Sequence, residues 1–124
     1  NMSISNSIKT ADFKAEKHVP TIKIVNRDGD TAYIEVSVGA EIAHPNTTEH
    51  FIAYIDLYYK GEAAIQHIGR AEFLAHGESA KGANQGPLHT EPVALFKCKL
   101  TAPGTLHAVS YCNIHGLWES ELAI

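Results

Sequence analysis

From Thr21 onward the apolar and polar positions alternate with a period of two rather than 3.6, the pattern of half-buried strands. Ile22 and Ile24 flank Lys23, and Asp28-Gly29-Asp30 supplies turn chemistry before the next strand. Across 31–38, Ile34, Val36 and Val38 fall on one face, with Tyr33, Glu35 and Ser37 on the other. The longest run, 51–60, places Phe51, Ala53, Ile55, Leu57 and Tyr59 together. Further strands are predicted at about 67–74, 92–100, 105–111 and 117–123. With 21–26 they make seven, and the spacing of turn signals between them predicts an all-β, antiparallel β-sandwich. Ahead of the first strand the chain is mixed and polar. A short helical turn is predicted within 11–15, and Pro20 forces Val19 into an extended exit. The stretch 77–92 holds three Gly and two Pro with no apolar period, which predicts a long surface loop, functional or mobile.

Composition narrows the class of function. The 124 residues suit one domain, and 44% hydrophobic against 19% charged residues supplies a core. A net charge of -4 gives no electrostatic footprint for nucleic acid or an anionic membrane. No apolar run approaches the ~20 residues that span a bilayer, and no signal peptide opens the chain, so a cytoplasmic location is expected. Asn1 ahead of Met2 reads as a cloning remnant. The two cysteines, Cys98 and Cys112, are too few for a disulfide framework and form no C-x-x-C pair. Eight histidines in so small a chain are the unusual count.

The chemistry concentrates in three short clusters: E-K-H-V-P at 16–20, H-P-N-T-T-E-H at 44–50 and C-N-I-H-G-L-W at 112–118. Each falls at a strand end or connection, where a sandwich gathers its loops. His18, His44, His50, His115 and Cys112 could therefore meet at one metal. Imidazole suits zinc, copper, iron and nickel, and one thiolate adds soft, electron-donating character. A closed structural zinc site takes four ligands, so five candidates are one too many. A cupredoxin-like electron carrier is the alternative, with Cys112, His115 and His44 as its ligands. It expects a methionine after the cysteine, and the single Met is Met2.

In this order and spacing the three motifs resemble those of the one-iron superoxide reductases, or neelaredoxins, whose domain is also the catalytic part of desulfoferrodoxin. The four-cysteine iron domain of desulfoferrodoxins has no counterpart in this sequence. The resemblance runs from about Ala11 to Ile124 and takes in 69–73 and 75–77. It implies a seven-stranded immunoglobulin-like β-sandwich over 11–124, with 1–10 as an N-terminal extension. It also implies one mononuclear non-haem iron (Fe2+/Fe3+), with His18, His44, His50 and His115 equatorial and Cys112 axial. Glu16 would be the sixth ligand in the ferric state, and Lys17 would lie close to the open position in the reduced form. The implied reaction is reduction of superoxide to hydrogen peroxide, with electrons from rubredoxin or a similar small donor. A homotetramer is the expected assembly.

The remaining candidates have plainer readings. The amides of Ile114 and His115 are placed to hydrogen-bond the Cys112 sulfur. His67, His89 and His107 read as solvated surface side chains, and His76 as a structural hydrogen-bonding group. Cys98 alternates with Phe96 and Leu100 and reads as a small buried hydrophobe. Trp118 and Tyr111 read as core or site-wall aromatics. Lys9 and Lys14 suit a solvated face or a dock for an acidic carrier. Glu49 is left open between an exposed strand-entry residue and a support for the site.

Overall fold

The computed structural model describes residues 3–11 and 18–124. Among the described residues, seven strands form two antiparallel sheets, the architecture expected of the immunoglobulin-like sandwich. They are β1 (Thr21–Asp28), β2 (Thr31–Ser37), β3 (Ile52–Lys60), β4 (Gln66–Glu72), β5 (Val93–Lys99), β6 (Thr105–Cys112) and β7 (Gly116–Ala123). One sheet has the order β1-β2-β5 and the other β4-β3-β6-β7. A 3-10 turn at Ile4–Asn6 precedes them. The turn predicted within 11–15 lies, apart from Ala11, outside the described residues.

Period-two patterning explains the packing. In β2, Ile34 and Val36 are fully buried and Tyr33 and Glu35 half-buried; in β6, Leu106, Ala108, Ser110 and Cys112 all point inward. The inward residues of the two sheets form one core that includes Ile55, Leu57, Phe73, Ala94 and Leu100. Fully burying each large apolar side chain contributes about 1.5–3 kcal/mol. Cys98 packs against this core, and burial raises its thiol pKa.

Bulges interrupt strict alternation in β1, between Ile24 and Asn26, and where β3 pairs with β4, between Leu57 and Tyr58. The one most important for the site lies at the start of β3. Ile52 pairs with Cys112 but Tyr54 pairs with Tyr111, so one extra residue is inserted there. The bulge turns Ile52 inward, where it is 3% exposed, while Ala53 is only half-buried. Phe51 and Ala53 therefore do not share a buried face with Ile55 and Leu57, as simple alternation predicts. The bulge adjoins the end of β6 that carries Cys112, so it helps set the pole where the three motifs meet.

Candidate metal centre

Each described ligand candidate is delivered by a strand end or a connection at that pole. Cys112 closes β6 and is fully buried. It pairs with Gly116, the first residue of β7, so 113–115 is a three-residue hairpin loop. Gly116 closes it at a φ of 83°, a left-handed conformation that disfavours any residue with a Cβ. The hairpin folds the His115 N–H back onto the Cys112 Sγ at 3.4 Å. Of the two amides expected at the sulfur, the His115 one donates. His115 Nδ1 lies 3.8 Å from the same sulfur.

His18 enters from the segment ahead of β1. Its carbonyl accepts the Ser110 hydroxyl at 2.7 Å, and its ring stacks on Trp118 at 4.5 Å with planes 12° apart. Both contacts are buried, so β6 and β7 fix backbone and ring together. Trp118 is thus a wall of the site. His44 and His50 bracket the connection from β2 to β3. Gly39, at a φ of 81°, allows this segment to turn close: a Cβ there would stand 2.7 Å from the His44 nitrogen. His44 Nδ1–H donates to the Pro45 carbonyl at 2.7 Å, so Nε2 is the nitrogen it could offer to a metal.

The four imidazoles form a closed ring. Neighbouring centroids are 4.6 Å apart for His18 and His44, 4.7 Å for His44 and His50, 5.0 Å for His50 and His115, and 4.9 Å for His115 and His18. The cross-ring pair His18 and His50 is wider, at 6.5 Å. Adjacent planes meet at 61° to 80°, so the rings stand edge to face around a common centre. His18, His50, His115 and Cys112 each bring a ligating atom within 4.8 Å of the others. His18 Nε2 and His115 Nδ1 are 3.2 Å apart, close to the roughly 3 Å separating neighbouring ligands on metal–nitrogen bonds of about 2.1 Å. A set of imidazoles and one thiol, with His18, His44 and Cys112 buried and His50 and His115 half-buried, fits a borderline-soft cation. Glu16 and Lys17 lie outside the described residues.

Several residues without a role in the sequence reading support the centre. Asn113 Oδ1 accepts the Phe51 N–H at 2.9 Å and its Nδ2 donates to the Glu49 carbonyl at 2.8 Å. The Glu49 carboxylate accepts from Asn84 Nδ2 at 2.7 Å and from Thr48 Oγ1 at 3.0 Å. Hydrogen bonds from Thr47, Asn84 and Thr48 lower its pKa. Lys9 is more than a solvated charge. Its backbone bonds to Leu117 and Glu119 beside β7, and its Nζ donates to the His115 carbonyl at 3.1 Å. That ammonium also lies 4.9 Å from the Trp118 ring centre.

Two other histidines have defined partners. His76 is 2% exposed, bonds Phe73 O and Asn46 Oδ1, and stacks on Phe51 at 3.8 Å, in line with the structural hydrogen-bonding role predicted for it. His67 departs from the solvated reading. On the outer face of the larger sheet it reaches Asp56 at 2.9 Å and stacks on Tyr58. The bulge between Leu57 and Tyr58 brings it into register with Tyr58, which the linear pattern does not reveal.

A β-sandwich that gathers four imidazoles and a thiol at one pole defines a metalloprotein with a mixed histidine and cysteine centre. Within that class the chain belongs to the desulfoferrodoxin family, whose family model matches residues 10–121. It is 51% identical over 123 residues to the superoxide reductase of Pyrococcus furiosus, covering 98% of each chain. It is 48% identical over 127 residues to the neelaredoxin of Megalodesulfovibrio gigas, covering 99% of this chain and 98% of that one. A crystal structure of superoxide reductase in the oxidised state superposes with a TM-score of 0.95 at 51% identity, covering 98% of this chain and 99% of that one. With four histidines around the cysteine, the cupredoxin alternative has no support. Among the described residues, no helix is long and apolar enough to cross a membrane.

Proposed function

We propose that this chain is a superoxide reductase that combines superoxide with one electron and two protons to give hydrogen peroxide. The observation that carries the reading is the closed imidazole ring beside Cys112, in a chain 51% identical along its length to a superoxide reductase. His18, His44, His50, His115 and Cys112 would hold a single non-haem iron. Iron bound there would supply the electron that superoxide takes up, cycling between Fe2+ and Fe3+.

The chain's own residues do the rest. The Cys112 thiolate donates electron density, and the His115 N–H on its sulfur tempers that donation. Trp118 and Ser110 hold His18 in place. Superoxide is an anion and the protein carries a net charge of -4, so attraction must be local. Lys9 contributes one positive charge against the ligand loop. Lys17, by its place in the E-K-H-V-P motif, would attract the anion and either hydrogen-bond the peroxide or order the water that supplies its protons. Glu16, in the same motif, would offer a hard carboxylate oxygen to the metal in its oxidised state. Electrons come from outside, from rubredoxin or a carrier of that kind. A cytoplasmic homotetramer is the assembly that fits the family.

Metal content with an optical spectrum tests this reading. One iron per chain with a visible thiolate-to-ferric absorption is expected. Copper or zinc after native purification overturns it.

A further inference from the structure

The loop 77–92 packs onto the site instead of standing off it. Its own ends are closed by backbone bonds from Gly77 to Leu88, Gly86 to Gly77 and Thr90 to Ala75, at 2.7–2.9 Å. At its tip Asn84 has a φ of 62°, the single positive φ outside glycine among the described residues. Glycine takes that conformation at no steric cost, and asparagine tolerates it better than most residues. What asparagine adds is one acceptor and two donor hydrogens on a single short side chain.

Both are used on the connection that carries His44 and His50. Asn84 Oδ1 accepts the Thr48 N–H at 2.8 Å, and Asn84 Nδ2 donates to Glu49 Oε1 at 2.7 Å. From the cysteine hairpin, Asn113 makes the matching pair with the Phe51 N–H and the Glu49 carbonyl. The segment 48–51, with His50 inside it, is gripped by two amides from two different loops. At the other end, His76 bonds Asn46, and Asn46 Nδ2 donates to the Thr90 carbonyl at 3.1 Å.

We propose that Asn84 is a positioning residue for His50 and that the 77–92 loop is a brace for the metal centre. This rests on the reading of His50 as a ligand. It assigns the loop a role that the three ligand motifs do not contain.

The test uses the full-length, metal-loaded protein and reads two quantities that need no superoxide. One is hydrogen exchange at the Thr48 and Phe51 amides; the other is release of the native metal to excess chelator. Asn84→Gly keeps the backbone conformation and removes the amide. Thr48 exchange and metal release should then each rise about tenfold, the scale of losing a group that orients a ligand. Phe51, held by Asn113, should stay protected and serves as the folding control. Asn84→Asp retains the acceptor for Thr48 but sets a carboxylate against Glu49, so metal release should quicken. Adding Glu49→Gln restores a donor facing an acceptor and should return release to within about twofold of native. Unchanged Thr48 exchange or unchanged release in Asn84→Gly overturns the proposal, as does failure of Glu49→Gln to rescue. A metal other than iron, or an enzyme inactive on superoxide, would contradict the proposed function and leave this test intact.

Discussion

Two clusters, one built around a single histidine and the other around four, follow opposite electrostatic rules. On the outer face of β3 and β4, Asp56 is 3% exposed and accepts from both Arg70 nitrogens, at 2.9 and 2.8 Å, and from His67. Arg70 in turn lies over the Tyr54 ring at 3.9 Å. Charge there is answered by charge, and the cluster is complete as it stands. At the pole, the described donors are imidazoles and a thiol packed ring against ring. Their lone pairs converge, and a cation is what such an arrangement is built to hold. The contrast shows that a histidine count alone does not mark a metal site. What its ring nitrogens face decides it.

The largest test of that contrast removes the soft donor. Cys112→Ser should lower metal occupancy and the rate with superoxide by at least about 100-fold, more than losing a group that only orients a ligand. Metal analysis and rapid kinetics would read it, and retention of metal would break the distinction. The converse change is Asp56→Ala, which strands a half-exposed guanidinium and should cost about 2 kcal/mol of stability. Thermal unfolding would show that loss, and metal content should be unchanged.

Acid should separate the two clusters as well. Burial raises the Asp56 carboxyl pKa, but the hydrogen bonds and charges of Arg70 and His67 outweigh it and hold the folded value below the ordinary one. Its contribution is therefore present above the ordinary aspartate pKa and lost as pH falls through the lowered folded value. Stability measured against pH should lose that part of its acid slope in Asp56→Asn. A smaller effect is expected of Lys9→Met: slower superoxide capture, with a weaker dependence on salt. The smallest belongs to Cys98. Its raised pKa predicts slow alkylation, and Cys98→Ala should leave metal and activity unchanged.

The strands were legible because a sandwich imposes period two on both faces; β6 follows it throughout and β2 up to Val36, after which Ser37 is buried as well. The bulge at the start of β3 was not, because one inserted residue leaves composition and local propensity unaltered. The ligand motifs stood out as three dense clusters of histidine and cysteine. Asn113 sits inside one of them and carried a signal that could have been used. Asn84 carried none: its loop has no period, and its partners Thr48 and Glu49 lie 36 and 35 residues away. Lys9 was equally opaque, since its value comes from lying beside β7, next to the His115 carbonyl.

The central claim is reduction without dismutation, and product stoichiometry tests it most directly. Reduced protein mixed with pulse-generated superoxide should yield one hydrogen peroxide per superoxide consumed, with one electron lost from the protein and no dioxygen formed. Evolution of dioxygen at half the superoxide consumed, or no reaction with the reduced protein, would contradict the account.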